Sequence, residues 1–189
     1  MCRIGVRRDA DLLQYIGVVI PTVELLRNLG VLVTPKLDFC AHITNIVKSS
    51  MILCNTIFRC FIIREPVFYI RLYTSLVVPK LLYCSPVWSP YLIKHIEALE
   101  SIRNRFIRRL ALRCNVPRES IRLPSVMELH RAADIKMFNK LNRLHLTESM
   151  FDVRENNLRS GHIVRSLEVA RTERINNSFS YRIPRMLRM

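Results

Sequence analysis

The chain has 189 residues, half of them apolar, with 30 Lys and Arg against 15 Asp and Glu and a formal charge of +15 at neutral pH. These figures describe one ordinary domain with enough apolar surface for a core, and they exclude wholesale disorder. The positive excess narrows the partners to a nucleic acid or an anionic membrane surface.

Two short runs rich in Val, Ile and Leu, Leu12 to Ile20 and Leu29 to Val33, flank a polar stretch containing Pro21 and Asn28. They predict two strands paired with each other. Asp38 is the expected cap of an amphipathic helix carrying Phe39, Ile43, Ile46, Ser50, Leu53, Ile57 and Phe61 on one face. Pro66 suits a first helical position, and Val67 to Val78 holds a single charge, Arg71, which predicts a central buried helix that Pro79 kinks or ends. The connection from Leu81 to Tyr91 is rich in aromatics and prolines. It reads either as core packing or as a platform on which bases stack.

Ser89 and Pro90 predict the start of a helix whose stripe is Ile96, Leu99, Ile102, Phe106 and Leu110, ending near Arg113. Its acids, Glu97 and Glu100, come early, and Arg103, Arg105, Arg108, Arg109 and Arg113 come late. Sorted charges of this kind complement a helix dipole on a solvated face, and five arginines so close together also suit phosphate contact. Ser125 to Glu128 fits a capping box, followed by Leu129, Ala133, Met137, Leu141 and Leu144 on one face and by Lys136, Lys140 and Arg143 in one row. That row too is either a solvated face or a phosphate rail. Arg154 to Met189 is polar and arginine-rich, and is expected to form loops with one short helix.

The charge is unevenly placed. Residues 1–102 hold 11 basic and 7 acidic side chains, and residues 103–189 hold 19 and 8. Of the basic residues 24 are Arg and 6 Lys, and the flat, forked guanidinium suits phosphate oxygens better than an ammonium does. The six cysteines lack metal-site spacing, so free thiols in a reducing compartment are expected. Cys40 and His42 come nearest to a metal pair, without a second pair to match them. The aspartates are scattered, Asp9 and Asp11 being a lone terminal pair. The four glycines cannot form a phosphate loop, and His95, His130 and His145 read as surface or boundary residues. No nucleophile grouping stands out, and no uncharged run reaches the length of a membrane helix. The expected location is intracellular, nuclear or cytoplasmic.

Several passages carry a resemblance. Leu29-Gly30-Val31-Leu32-Val33, then Lys36-Leu37-Asp38-Phe39 and His42-Ile43, resemble the close of the palm in reverse transcriptases of non-long-terminal-repeat, LINE-type, jockey-like retrotransposons. Leu72 to Pro79, Leu82 to Pro90 and Leu99 to Phe106 are similar to that family's thumb, the Tyr83-Cys84-Ser85-Pro86-Val87-Trp88-Ser89-Pro90 string being the most specific part. Leu123-Pro124-Ser125, Arg131, Asp134 and Met137 to Lys140 resemble its next helix, and Gly161-His162 a following turn.

The resemblance implies a mainly α fold: a palm remnant with a short β-hairpin (1–36), a helical thumb (37–115), a connection helix (116–150) and an irregular basic C-terminal segment (151–189). It implies that Leu29, Gly30 and Val31 form a primer-holding hairpin. The thumb's partner is an RNA template and DNA primer hybrid, gripped through backbone phosphates by Arg103, Arg105, Arg108, Arg109, Arg113, Lys136, Lys140 and Arg143. Intact members are RNA-directed DNA polymerases with palm and fingers, an Asp-Asp box and magnesium. This chain lacks that box, which predicts a non-catalytic piece of a transposable element, without cofactor and inactive alone. A basic helical protein bound to membrane surfaces and an inert decayed relic are the competing readings.

Overall fold

The tight dipeptide Leu29-Gly30 decides how the strands pair. Its residues have φ of 45° and 87°, and two positive central values give the turn whose twist matches an antiparallel hairpin. In the computed structural model β3 (Leu26–Asn28) therefore folds directly onto β4 (Val31–Val33), with Asn28 opposite Val31 and Leu26 opposite Val33. Upstream, β1 (Gln14–Tyr15) pairs with β2 (Val18–Val19). The expected pairing between the two apolar runs is thus corrected: each belongs to its own hairpin, the Leu29-Gly30 turn closing β4 on the strand next to it. The structure describes residues 23–146, the backbone of 14–15, 18–19, 153–157 and 163–167, and Phe179, Arg182 and Ile183. The readings placed on Cys2, Asp9, Asp11, Gly161 and His162 lie outside the described residues.

Helix α1 spans Cys40–Cys60; its N-cap position is Phe39 rather than the expected Asp38, which lies one residue earlier and whose Oδ1 accepts the Cys40 N–H at 3.0 Å. Helix α2 (Pro66–Leu72) begins with proline as expected. Pro79 neither ends the helical run nor kinks it alone. The turn at Tyr73–Val77 widens to a π turn, closed by the Val78 N–H on the Tyr73 carbonyl, and α3 (Val78–Leu82) continues beyond it. A regular helix would drive the proline ring into the carbonyl four residues back, and the wider turn gives that carbonyl room. The buried face of this run is Tyr69, Tyr73, Val77 and Leu81; Val67 and Leu76 are about half exposed, so the helix is buried on one side rather than all round.

A left-handed Cys84 introduces the short α4 (Ser85–Trp88). The chain stays extended through Ser89 and Leu92, which delays α5 to Ile93–Cys114, later than the proline had suggested. Asn115, also left-handed, ends α5, with the Val116 N–H returning to the Ala111 carbonyl. Helix α6 (Val126–Arg143) starts on the expected capping box: Ser125 Oγ accepts the Glu128 N–H at 3.0 Å, and Glu128 Oε2 accepts the Ser125 N–H at 2.8 Å. From α5, Glu100 Oε1 accepts the Val126 and Met127 N–H groups, a second acid at the positive end of α6.

The stripe of α6 is rotated from the expected one. Val126, His130 and Asp134 are buried, whereas Met137 and Leu144 are exposed. Two polar residues can face the core because each has a partner there: His130 Nε2–H donates to the Leu81 carbonyl, and Asp134 receives Arg182 in a bidentate pair at 2.8 and 2.9 Å. Arg182 also donates to the Pro86 carbonyl, and Ile183 beside it is fully buried. Within the C-terminal segment, expected to be irregular, β5 (Val153–Asn157) and β6 (Ile163–Leu167) pair antiparallel. One apolar cluster runs from Val31 to Val126, drawing on β4 and on every helix from α1 to α6.

Trp88 stands at the centre of that cluster, edge-to-face with His42 on one side and with His130 on the other. Its Nε1–H donates to the Tyr83 carbonyl at 2.8 Å. Trp88 is therefore core and not available for stacking on bases, whereas Tyr83 in the same connection is 53% exposed. The Leu32 N–H donates to His42 Nδ1, which leaves that nitrogen without a proton of its own. Burial lowers the pKa of both His42 and His130 below the ordinary 6.5. A histidine depressed in the folded state takes up its proton more readily once unfolded, so its contribution is complete above pH 6.5 and is lost as pH falls below that value. The urea midpoint should accordingly drop between pH 7 and pH 5; a level midpoint over that interval would refute the account.

Candidate functional site

The five arginines of α5 share one helix and have different fates. Arg103 is half-buried and wraps the Leu123 carbonyl, with Nε at 2.9 Å and Nη2 at 2.7 Å, which fastens the segment leading into α6. The Arg109 guanidinium lies 4.8 Å from the Phe58 ring centroid, a cation–π contact, and its Nη1 donates to Asn55 Oδ1. Arg113 Nη2 donates to the Phe58 carbonyl at 2.9 Å. These three side chains tie α5 to its neighbours. Arg105 and Arg108 are exposed, three residues apart on the outer side, and make no hydrogen bond or ion pair among the described residues.

On α6 the row Lys136, Lys140 and Arg143 is exposed, as is Arg131 one turn earlier. None of the four has a hydrogen-bonding or ionic partner among the described residues. Position explains the split along α5. Side chains flanking the buried stripe of Leu99, Ile102, Phe106 and Leu110 reach neighbouring elements, and those opposite it reach solvent. Of the eight cationic residues expected to meet phosphates, five are thus on outer faces of α5 and α6, and three are engaged inside the protein.

Leu29 and Gly30 form the tip of the β3–β4 hairpin, and Val31 turns inward and is buried. Tyr83 Oη–H donates to the Leu29 carbonyl at 2.7 Å. A Cβ placed on Gly30 would stand 3.5 Å from Tyr83 Cε1. The Leu29 side chain itself is 82% exposed. A left-handed leucine costs on the order of 1 kcal/mol, and the tyrosine clasp holds it there.

Cys40 and His42 are separated by the helix they share. Two residues apart on a helix face nearly opposite ways, so His42 enters the core and Cys40 turns toward α5. There Cys40 Sγ lies 3.2 Å from His95 Nε2. This Cys–His grouping was not visible as a sequence pattern, the two residues being 55 apart. Burial and Lys94 lower the pKa of His95, and Asp38 opposes them. Cys54, by contrast, is buried within the core, and desolvation pushes its thiol up to about 11 despite nearby Arg109.

Magnesium needs several oxygen donors converging on one point. Among the described residues no three His, Cys, Asp or Glu side chains come together to hold a metal ion. Asp134 is engaged by Arg182, Glu100 by the start of α6, and Glu128 by the capping box. The described carboxylates therefore do not fit a two-magnesium centre. Among the described residues, too, no helix is long and apolar enough to cross a membrane.

Comparison with known proteins adds one sequence relative. The chain is 33% identical over 93 residues to an uncharacterised protein of Caenorhabditis elegans, a match that covers 49% of this chain and 47% of that protein. The chain thus spans about half the length of this curated relative. No protein-family profile matches the chain, and no solved structure does.

Proposed function

We propose that this chain is the palm-end and thumb region of a retrotransposon-type RNA-directed DNA polymerase, and that it binds template–primer nucleic acid through backbone phosphates without catalysing synthesis itself. The observation that carries this reading is the set of cationic side chains on outer helix faces: Arg105 and Arg108 on α5, and Lys136, Lys140 and Arg143 on α6. Contacts of this kind grip sugar–phosphate backbone and ignore base sequence, as a polymerase must. The resemblance in the Leu29 to Val33 and Tyr83 to Pro90 passages, and a hairpin followed by helices, support the same reading. The nucleus or the cytoplasm is where such a partner is met.

Binding to an RNA–DNA hybrid should be micromolar and indifferent to sequence, and should weaken steeply with salt. The double variant Arg105→Glu/Arg108→Glu should flatten the slope of log affinity against log salt by roughly two, one released counterion for each lost contact. Its melting temperature should stay near that of the parent, because both side chains are solvent-facing. A slope that the double variant leaves unchanged would clear α5 of any phosphate contact. Binding to anionic vesicles in preference to hybrid would turn the assignment toward a membrane surface.

A further inference from the structure

We propose that Cys40 is a nucleophilic thiol activated by His95, a covalent modification site for soft electrophiles. The geometry is that of a nucleophile and its base: Sγ and Nε2 are 3.2 Å apart, both residues are partly exposed, and they come from different helices. An imidazole so placed takes the thiol proton as the sulfur attacks, and the imidazolium then stands beside the thiolate. Cys40 is also the first residue of the 21-residue helix α1, whose positive end favours a thiolate.

The described charged groups acting on His95 are Lys94, next to it on α5, and Asp38, whose carboxylate accepts the Cys40 N–H. Lys94 and burial favour the neutral imidazole, the form that can accept a proton, and Asp38 partly compensates the imidazolium once it forms. Among the described residues, no histidine stands within bonding distance of another cysteine sulfur. Cys54 is buried, and burial raises the thiol pKa of Cys114. Cys60 is exposed and makes a natural internal reference.

Iodoacetamide tests the pair on the intact chain. The Cys40 S–H bond breaks with its proton passing to His95 Nε2, the S–C bond forms, and the C–I bond breaks to release iodide. Labelling followed peptide by peptide with mass spectrometry should show Cys40 reacting at least tenfold faster than Cys60 at pH 7. Its rate should persist down to the histidine range and fall only where a second proton enters the pair. In His95→Gln the Cys40 rate should drop about tenfold and its pH profile should move to higher pH, with the Cys60 rate unchanged. Equal rates for Cys40 and Cys60 in the native chain would overturn the proposal, and so would a Cys40 profile indifferent to His95→Gln. The native comparison needs no variant, so it stands even where the substitution disturbs folding.

Discussion

Arg182→Met is expected to lower the stability of the protein by about 3 kcal/mol, which in a chain of this size is a fall of roughly 6–12 °C in melting temperature. The cause is the carboxylate left behind. Asp134 has 2% of its side chain exposed and takes both Arg182 nitrogens, so without the guanidinium a desolvated negative charge has no counterpart. Asp134→Asn should cost less, about 1–2 kcal/mol, because the Arg182 side chain is 18% exposed and keeps some access to water. The double variant Asp134→Leu/Arg182→Met should recover most of the loss, since an apolar pair avoids desolvating either ion. Urea unfolding of the four proteins measures this ordering. A double variant as unstable as Arg182→Met alone would mean that the pair is not the source of the effect.

Trp88→Ala should be at least as damaging, at about 4 kcal/mol, the range for removing a fully buried large aromatic. Trp88→Phe keeps a ring between His42 and His130 but loses the donor to the Tyr83 carbonyl, so a cost of about 1–2 kcal/mol is expected. Trp88 is the only tryptophan in the chain, so far-ultraviolet circular dichroism rather than fluorescence must follow the variants. The damage should extend into the hairpin. Tyr83 clasps Leu29, and His42 accepts the Leu32 N–H, so amide exchange at Leu32 should accelerate in Trp88→Ala beyond what global destabilisation explains. Unaltered relative protection at Leu32 would detach the hairpin from the tryptophan.

What could be read in advance depended on how local its causes were. The helix stripe of Leu99, Ile102, Phe106 and Leu110, the Ser125–Glu128 capping box and the proline start of α2 all arise from residues a few positions apart, and all are present. The partnership of the strands was misjudged because apolar character does not name a partner, whereas the Leu29-Gly30 turn does. His130 read as a surface or boundary residue, and the burial of Asp134 had no local sign, because their partners, Leu81 and Arg182, lie 49 and 48 residues away. The arginines of α5 are alike in composition and helical setting. Only their angular distance from the buried stripe separates Arg103, Arg109 and Arg113, with partners in other elements, from Arg105 and Arg108. The Cys40–His95 pair falls under the same rule, being assembled by the packing of α1 on α5.

The widened turn at Tyr73–Val77 has an effect on phase. Tyr69, Tyr73, Val77 and Leu81 recur at every fourth position, and four residues of an ordinary helix overshoot a full revolution by about 40°, so three such steps would drift by about 120°. The extra residue in the wide turn rewinds about 100° of that drift, which keeps all four side chains pointing inward. Orientation along this rod is therefore governed by residue number as much as by residue kind. A single-codon deletion there would act as a rotation, swinging Leu81 and the carbonyl that receives His130 away from their partners.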